Sequence, residues 1–374
     1  MKSANSFEFK NKNIIIVSPE PWEYIFVSKH HYAIELAKLG NRVYFINGPT
    51  SGVKEIKIEE SLSHAGIFVV DYPLLLKGQR FLPGIIDRMI NRSFFRHLEK
   101  KANCRFDVFI NFENSRFYDF RFLPANVFSI YFQVDENQDF HPLIAAKTAN
   151  ITFAINETIK DNLLTSARKV FKISHGFSGA LSDQAKAIIE GQYNYQPVLG
   201  NRLTTAYVGN IDNNYINQDL LIKLVNAYPG ISFILYGPYS TKGKVYLSLH
   251  GNTNVIFKGK IPSQAIASEL AKADLLFYLY IDSFKSSSHK VLEYLASGKA
   301  IVGNYFNEYN SNTELIYFAN NENYVSLFGK VASSIIDKNN FRLMKTRIEF
   351  AMANSYSRKI KEIETIINTH LFKL

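Results

Sequence analysis

Cysteine is almost absent from this sequence: Cys104 is the single one among 374 residues. A disulfide framework is therefore excluded, which is typical of proteins in a reducing compartment, and we expect a cytoplasmic location. Cysteine and histidine patterns with zinc-site spacing are also missing. Stability must then come from hydrophobic cores, and a hydrophobic content of 47% is sufficient to build them.

Long apolar runs are missing as well. The longest runs, near 13–17 and 273–281, are far shorter than the ~20 residues that span a bilayer, so they predict core strands. Residues 1–12 are polar, and we expect no signal peptide there. The length of the chain suits two domains better than one core.

Acidic residues are outnumbered, because 33 Asp and Glu stand against 43 Lys and Arg and give a formal net charge of +10. This excess favours an anionic partner, such as nucleic acid, an anionic membrane surface or an anionic substrate. No RNA-binding signature occurs, so we do not expect nucleic acid as a partner.

The basic segment 77–101 mixes arginines with apolar residues. Arg88, Arg92 and Arg96 are spaced four apart, and this spacing predicts one shared helical face. Two interpretations carry equal weight. The segment is a helix that contacts an anionic membrane surface, or it is an ordinary amphipathic helix that packs on a sheet.

Apolar strand-like runs alternate with helical patterns along the whole chain, which predicts doubly wound parallel sheets. The pattern weakens near 181–200 and restarts at Leu203, so we place a linker there. The predicted organisation is an N-terminal domain at 1–180, a C-terminal domain at 201–355, and a final helix at 356–374. A long helical segment is expected from Phe341 to Leu371, and a helix near 182–190 is also plausible.

One stretch carries the strongest functional signal. After the apolar run 274–281, the serines Ser286, Ser287 and Ser288 precede a short predicted helix. Free backbone N–H groups at such a helix start bind anions. Lys290 in the first turn adds a cation, and the carboxylate of Glu293 one turn later suits a pair of sugar hydroxyls. A diphosphate joined to a ribose fits this arrangement.

This stretch resembles the donor-binding segment of GT-B glycosyltransferases of the family-four type. In these enzymes a Lys-x-x-Glu-Tyr-x-Ala-x-Gly-Lys pattern recurs, and Lys290 to Lys299 match it. Residues 206–211, 228–238 and 254–262 are similar to the first strand and glycine turn, the second strand and glycine turn, and the strand that backs the nucleotide base. The resemblance implies an α/β GT-B fold: two Rossmann-like doubly wound domains that face a cleft, with a C-terminal helix that crosses back to the N-terminal domain.

The resemblance also implies site residues. Lys290 would stabilise the leaving diphosphate, and Glu293 would bind the ribose. The remaining expected donor-binding residues are Gly209, Asn210, Tyr236, Gly237, Lys260, Ile261, Lys285, Ser286, Ser287 and Ser288. The main chain near 260–261 and Tyr236 would frame the base.

Two departures from the family pattern stand out. Its first glutamate falls at Lys285, so the contact to the transferred sugar must differ, and Lys285 itself meets a phosphate or an acidic sugar or is a solvated loop residue. Relatives also carry an arginine and a lysine soon after the glycine turn, whereas residues 210–219 contain no basic residue.

In the N-terminal half, candidates come from the ends of predicted strands, where ligands of doubly wound sheets bind. Asp135 and Glu113 each follow such a strand, and one of them is expected to hold the acceptor hydroxyl. His30 and His31 begin the first helix, and a functional role for them has the same weight as a structural one. We take Asp135 and His30, with Lys290, as catalytic candidates.

The function implied is transfer of a sugar from a nucleotide-diphosphate sugar to a saccharide or lipid-linked saccharide, in bacterial surface polysaccharide synthesis. Family members usually retain anomeric configuration. No Asp-x-Asp motif is present, so neither a metal nor a cofactor is expected beyond the nucleotide-sugar co-substrate. The alternative is an inactive GT-B-shaped binding or scaffold protein, which the two departures motivate.

Overall fold

The computed structural model describes residues 6–23, 26–135, 140–193, 195, 202–281, 290–304 and 314–372. The chain divides into two compact units. The first unit comprises Met1–His175 and Tyr356–Leu374, and the second comprises Gly176–Ser355. Each unit is built on its own sheet.

The first unit contains an eight-stranded sheet. Its strands are β1 (Asn13–Val17), β2 (Arg42–Ile46), β3 (Lys57–Glu60), β4 (Ile67–Asp71), β5 (Val108–Asn111), β6 (Phe128–Gln133), β7 (Ile151–Ala154) and β8 (Val170–Lys172). Their spatial order is β3-β4-β2-β1-β5-β6-β7-β8. All neighbours pair in parallel except β3 and β4. The central strand β1 is buried on both faces, which explains its continuous Ile-Ile-Ile-Val run.

Helices connect these strands. They are α1 (Ser28–Lys38), α2 (Gly84–Ala102), α3 (Pro142–Thr148) and α4 (Glu157–Leu164), with short 3-10 helices at Gln79–Phe81 and Phe120–Phe122. The inner face of α2 is buried through Phe94, Phe95 and Leu98 near its C-terminal end. Its N-terminal half instead exposes Ile85 and Met89 to solvent, by 66% and 67%. The buried residues of this N-terminal half are instead the polar Asp87 and Asn91.

The second unit contains a six-stranded parallel sheet. Its strands are β9 (Thr204–Val208), β10 (Ser232–Tyr236), β11 (Val255–Gly259), β12 (Leu275–Tyr278), β13 (Ala300–Gly303) and β14 (Tyr317–Phe318). The order is β11-β10-β9-β12-β13-β14. Its helices are α5 (Asp183–Ile189), α6 (Gln218–Ala227), α7 (Lys244–Leu249), α8 (Ser263–Ala271), α9 (Lys290–Ala296), α10 (Tyr324–Ser333), α11 (Ile335–Lys338) and α12 (Phe341–Ala353).

The segment 181–193 belongs to the second unit. Helix α5 begins after the cap Ser182, whose side chain accepts a hydrogen bond from the Ala185 N–H. Ala185 and Ile188 are fully buried in the core of that unit. Where the sequence pattern suggested a linker, the described part of the segment is a packed helix, which was the alternative left open.

The final helix, α13 (Tyr356–Leu371), packs on the first unit. Tyr356, Ile360, Ile363 and Ile367 recur at helical spacing and are buried with the strands β1 and β5. The Asn368 side chain adds two hydrogen bonds to this contact: it accepts from the Phe7 N–H at 2.6 Å and donates to the Phe7 carbonyl at 2.9 Å. The predicted return of the C-terminal helix to the N-terminal half is confirmed.

The helical segment expected from Phe341 to Leu371 consists of two helices, because α12 ends at Ala353 and α13 begins at Tyr356, the residue at which the sequence analysis placed the start of the final helix. At the break, the Phe177 N–H donates to the Asn354 carbonyl at 2.9 Å and Phe177 forms an isolated bridge with Ser355. A distant segment thus takes over the backbone hydrogen bonds here. None of the helices in the described residues has the length and hydropathy needed to cross a membrane.

Candidate functional site

The carboxyl edge of the second sheet is built from glycine backbones. In this sheet β10 and β11 lie on one side of β9, and β12, β13 and β14 lie on its other side. The strand order reverses at β9, so the topological switch point lies between β9 and β12. The Gly209 N–H donates to the Tyr236 carbonyl at 2.9 Å, and the Gly237 N–H donates to the Gly259 carbonyl at 2.8 Å. A Cβ atom at Gly237, where φ is 127°, would lie 1.8 Å from the Gly209 carbonyl oxygen. Only glycine allows this approach.

Lys290 places a cation at this switch point. Its ammonium would lie 3.0 Å from a Cβ atom at Gly209, so it sits at the end of β9. Burial lowers the pKa of Lys290, and the Glu293 carboxylate raises it in part. Among the described residues the ammonium has no hydrogen-bond acceptor. A half-buried ammonium without an acceptor is costly unless an anion binds to it.

Glu293 lies one helical turn after Lys290 on α9. Burial raises the pKa of Glu293 to about 7, and the nearby Lys290 opposes this rise. The neighbouring Tyr294 faces the sheet, where its hydroxyl accepts a hydrogen bond from the Val208 N–H at 2.7 Å. This buried bond fastens α9 to β9 and so fixes Lys290 and Glu293 at the edge of the sheet.

A layer of tyrosines lies beneath the glycine edge, and the sequence patterns did not indicate it. A Cβ atom at Gly209 would lie 2.2 Å from the Tyr207 hydroxyl, which therefore reaches the same strand end as Lys290. Tyr278 and Tyr280 join their hydroxyls in a hydrogen bond. Tyr294 packs edge-on against Tyr278, with ring centroids 5.7 Å apart. Phenolic oxygens thus supply polar atoms under an otherwise main-chain surface.

Asn210 begins a turn in which asparagine side chains hydrogen-bond to backbone N–H groups of the same segment. Its side-chain oxygen accepts from the Asp212 N–H at 3.1 Å, and the side chain of Asn217 caps α6 by accepting from the Leu220 N–H at 3.0 Å. Ile216 forms an antiparallel bridge with Tyr280, which ties the turn to the end of β12. The segment that lacks the family's basic pair is a self-bonded asparagine turn.

Tyr236, Lys260 and Ile261 were expected to frame a base. The Tyr236 side chain is buried, and its hydroxyl donates to the Glu269 carboxylate at 2.7 Å. Its ring therefore joins β10 to α8, and Tyr236 contributes only its carbonyl to the edge. Lys260 and Ile261 directly follow β11, where Lys260 is exposed and Ile261 packs partly against the core. Lys285, Ser286, Ser287 and Ser288 lie outside the described residues.

An arginine that the sequence analysis did not select occupies the equivalent edge of the first sheet. The Arg116 guanidinium donates to the carbonyls of Ser18 at 3.0 Å and Asn47 at 3.2 Å. It also donates to the Tyr72 hydroxyl at 2.6 Å and pairs with Glu113 at 3.5 Å. These partners follow β1, β2, β4 and β5. One guanidinium therefore joins four strand ends.

The loop that carries Arg116 is held rigidly. The Asn111 side chain accepts from the Glu113 N–H at 2.8 Å and donates to the carbonyls of Arg116 and Phe117. Ser115 donates its hydroxyl to Glu113 at 2.5 Å. Phe117 has a φ of 52°, a left-handed conformation that is strained for a bulky residue. Glu113 was one of two residues expected to hold the acceptor hydroxyl. Its carboxylate instead contacts Arg116 and Ser115.

His30 has a buried, main-chain-bonded environment of the kind that favours a structural role, and its catalytic role stays a prediction. It is fully buried, its Nδ1 accepts from the Val27 N–H at 3.2 Å, and its Nε2 lies 3.1 Å from the Pro21 carbonyl. Both ring nitrogens are therefore occupied by main chain, in the tautomer protonated on Nε2. Burial lowers the pKa of His30, and the ring cannot exchange protons without breaking this turn. His31 stacks on Tyr356 and its pKa is lowered to about 4, mainly by burial.

Asp135 lies two residues beyond β6 and is exposed at the carboxyl edge of the first sheet. Its carbonyl accepts from the Gln133 side chain at 3.3 Å. The position expected from the sequence is therefore the observed one, and a catalytic role for Asp135 stays a prediction. In the described residues, no group of three or more His, Cys, Asp or Glu side chains is arranged to hold a metal ion.

With this geometry in place, the chain can be compared with known structures. A sucrose-phosphate synthase from Thermosynechococcus elongatus matches with a TM-score of 0.66 over 96% of this chain and 98% of that chain, at 11% identity. The Anabaena protein HepE in complex with UDP and glucose gives 0.65 over 96% and 100%, at 11%. The catalytic domain of starch synthase IV from Arabidopsis thaliana, bound to ADP and acarbose, gives 0.66 over 96% and 99%, also at 11%.

Sequence comparison adds nothing to these matches, since no protein-family model matches the chain and no curated protein does. Identities this low establish the fold and not the activity. The chain has the GT-B fold, as the sequence resemblance predicted.

Proposed function

We propose that this protein is a glycosyltransferase of the hexosyl type, which moves a sugar from a nucleotide-diphosphate sugar to a saccharide or lipid-linked saccharide. The observation that carries the proposal is the Lys290 ammonium at the Gly209 end of β9, without an acceptor among the described residues and with Glu293 one turn away. A diphosphate supplies the missing anion, and its ribose supplies hydroxyls for the carboxylate.

The comparisons support this choice of donor. The Anabaena protein was solved with UDP and glucose, and the starch synthase domain was solved with ADP and acarbose. Both ligand sets contain a nucleoside diphosphate. By analogy of fold, we assign the same class of donor to the carboxyl edge of the second sheet.

The proposed mechanism depends on stabilisation of the leaving group. Negative charge grows on the departing diphosphate as the glycosidic bond breaks, and a fixed cation at that place lowers the barrier. We assign this role to Lys290, with retention of configuration and without a metal. Asp135 at the edge of the first sheet is the proposed contact of the acceptor hydroxyl.

A thermal-shift screen followed by a hydrolysis assay tests the proposal. We expect UDP, ADP or GDP to raise the melting temperature of the purified protein, and the matching nucleotide sugar to be hydrolysed slowly without an acceptor. Inorganic phosphate at the same concentration is the control and should give a smaller shift. If no nucleotide or nucleotide sugar shifts the melting temperature, the proposal is rejected.

The second candidate is a GT-B-shaped binding or scaffold protein without activity. It is favoured by the self-bonded asparagine turn after Gly209, which offers no basic side chain to a diphosphate. The same screen separates the two candidates. Saturable binding of a nucleotide sugar, with neither hydrolysis nor transfer to any glycan acceptor, supports the scaffold.

We further propose a cytoplasmic location, with attachment to the inner face of a membrane where surface polysaccharide is made. The support is the exposed apolar surface at the start of α2, where Ile85, Ile86 and Met89 are 66%, 45% and 67% exposed. Arg92 and Arg96 are exposed on the same helix. Arg88 adds less charge than its spacing predicted, because it is paired with Asp119 at 2.8 Å.

Vesicle sedimentation tests this attachment. Each exposed arginine near an anionic surface contributes about 1 kcal/mol, so the variant Arg92→Gln/Arg96→Gln should bind anionic vesicles roughly 30-fold more weakly at low salt. High salt should have the same effect on the wild type. If the wild type does not sediment with anionic vesicles at low salt, membrane attachment through α2 is wrong.

A further inference from the structure

A concave site lies in the first unit. It has a volume of about 430 Å³, within the range of roughly 300–1,000 Å³ of small-molecule sites. The loops that follow β2, β4 and β5 line it, so it opens at the carboxyl edge of the first sheet. The lining residues are Pro49, Tyr72, Leu74, Leu75, Leu76, Lys77, Gly78, Gln79, Phe81, Asn91, Ser115, Arg116 and Phe117.

The mouth of this pocket is unusually apolar for a surface. Leu74 is 59% exposed, Leu76 is 44% exposed and Phe81 is 77% exposed. Single exposed apolar side chains are common, whereas several around one concavity indicate a binding surface. The exposed Ile85 and Met89 of α2 follow shortly after Phe81 in the chain and extend the apolar character of this region.

The charged residues of the pocket restrict the class of ligand that it can bind. Its lining includes Lys77 and Arg116 and, among the described residues, no carboxylate. The Arg116 guanidinium is engaged by Ser18, Asn47 and Tyr72. Lys77 is exposed at the mouth, and no described carboxylate pairs with it. An apolar cavity with one unpaired cation at its mouth suits an apolar chain that ends in an anionic group.

The back of the pocket is rigid, which lowers the cost of ordering a ligand there. Phe117 forms part of the wall in its strained left-handed conformation, held by Asn111 through the carbonyl hydrogen bond at 3.1 Å. Asn91 donates to Asp87 at 3.0 Å, and Gln79 donates to both. Backbone strain that the surroundings maintain is a feature of ligand sites.

We propose that this pocket binds the apolar chain of an amphiphilic acceptor, with the anionic group that follows the chain placed at Lys77. The inference rests on the proposed function, because the amphiphile is taken to be the lipid-linked acceptor of the transfer reaction. It names the acceptor class as a single-chain phosphate amphiphile and assigns it a site in the first unit.

Fluorescence can test this site directly. The sole native tryptophan, Trp22, is 1% exposed, so a Phe81→Trp variant adds one solvent-exposed reporter at the mouth. Titration with dodecyl phosphate, kept monomeric, should shift the emission of the reporter to the blue and saturate. Dodecyl maltoside, with the same chain and no charge, should bind more weakly, and inorganic phosphate should give no shift.

Two further changes in the Phe81→Trp background define the contacts. Leu76→Glu should weaken dodecyl phosphate binding roughly tenfold or more, since it removes apolar contact and adds a negative charge. Lys77→Gln should weaken it by about two- to fivefold and leave dodecyl maltoside unaffected. Leu62→Glu is the matched control, because Leu62 is fully exposed in the same unit and does not line the pocket.

The outcomes separate this site from the proposed function. The measurement needs no sugar donor, so saturable binding without any transfer activity rejects the proposed function and leaves the site intact. Transfer activity without saturable binding rejects the site alone. A shift that does not saturate, or that Leu76→Glu and Leu62→Glu leave equally strong, means non-specific adsorption and also rejects the site.

Discussion

The two sheets of this protein have similar topology but fill their switch points differently. In the first sheet, the Arg116 guanidinium occupies the space where β1, β2, β4 and β5 end. In the second sheet, the main chain of Gly237 packs directly against the main chain of Gly209. The Lys290 ammonium beside them has no hydrogen-bond acceptor among the described residues. A switch point that the protein fills with its own cation is stabilised and closed. One lined by backbone and an unsatisfied cation is ready for an anionic ligand.

The two units also differ in the chemistry that they offer to a ligand. The cavity of the first unit lies among the loops that carry Leu74, Leu76 and Phe81. This cavity is apolar and suits an acceptor chain. The open switch point of the second sheet is polar and suits a nucleotide. Similar architecture thus yields two binding chemistries through a few side chains, and the following substitutions test that contrast.

The largest expected effect comes from adding a side chain at Gly237, where its main chain packs against Gly209. Gly237→Ala places a Cβ atom 1.8 Å from the Gly209 carbonyl oxygen at a φ of 127°. Both the clash and the backbone strain oppose folding, so we expect a loss of about 3 kcal/mol or more in the free energy of unfolding. Urea unfolding measures it, and hydrogen exchange of amides in β9 and β10 assigns it to the second sheet. Gly230→Ala, which meets nothing within 4 Å, should change stability by less than about 0.5 kcal/mol.

The next effect is on turnover at the open switch point. Lys290→Met removes the cation and should lower the transfer rate by roughly 10²- to 10³-fold, as loss of one stabilising group does at an oxyanion site. Donor affinity should fall less, because the charge on the leaving diphosphate is greatest in the transition state. Lys223→Met, on the exposed face of α6, is the control. Equal losses in affinity and in kcat/KM, with kcat unchanged, would contradict this role.

At the closed switch point the expected effect is on stability alone. Arg116→Met leaves the carbonyls of Ser18 and Asn47 without their donor and removes the cation beside the Glu113 carboxylate, so we expect a loss of about 2–3 kcal/mol. Arg116→Lys should restore little of it, since an ammonium lacks the planar fork of donors. Exposed Arg96→Met is the control. Donor affinity in calorimetry should not change, and a large change would mean that the first sheet contributes to the donor site.

Local patterns predicted the parallel strands, because each buries a continuous apolar run, and the family resemblance predicted the return of α13. The sequence analysis did not identify β3 and β4. The edge strand β3 reads Lys-Ile-Glu-Glu and depends on antiparallel pairing with β4, which its own residues do not reveal. The start of the final helix was predicted at residue 356, and α13 begins at Tyr356. The backbone contacts that Phe177 makes with Asn354 and Ser355 at the break join residues far apart in sequence, so no local pattern reveals them.

The site was predictable where chemistry and spacing coincide within one segment, as for Lys290 and Glu293 on α9. Arg116 was not, because its partners are spread from Ser18 to Glu113 and an arginine after a strand usually lies on the surface. His30 shows the opposite difficulty. A histidine at a helix start resembles a catalytic one until the acceptors and donors of its ring nitrogens, Pro21 and Val27, are known.

The smallest expected effect concerns the carboxyl group at the open switch point. Glu293→Gln keeps the shape of the side chain and removes its charge, so donor affinity should fall by about 1.5 kcal/mol, roughly tenfold. Calorimetry with the nucleotide sugar measures it. In the wild type, affinity should rise with pH through about 7, as the carboxyl group ionises and accepts hydrogen bonds from the ribose. In the variant this rise should be absent.

The same substitution should act on stability with the opposite sign. The pKa of Glu293 is raised from 4.5 to about 7 in the folded protein, so between these values the folded state holds a proton that the unfolded state has lost. Stability of the wild type therefore falls as pH rises through this window. Because Glu293→Gln lacks this titration, its melting temperature relative to the wild type should increase from pH 5 to pH 8, and groups common to both proteins cancel in that difference. A carboxyl group that costs stability and improves donor binding belongs to a site built for a ligand. A variant that is less stable than the wild type at pH 8 and binds the donor equally well would show that Glu293 only supports the fold.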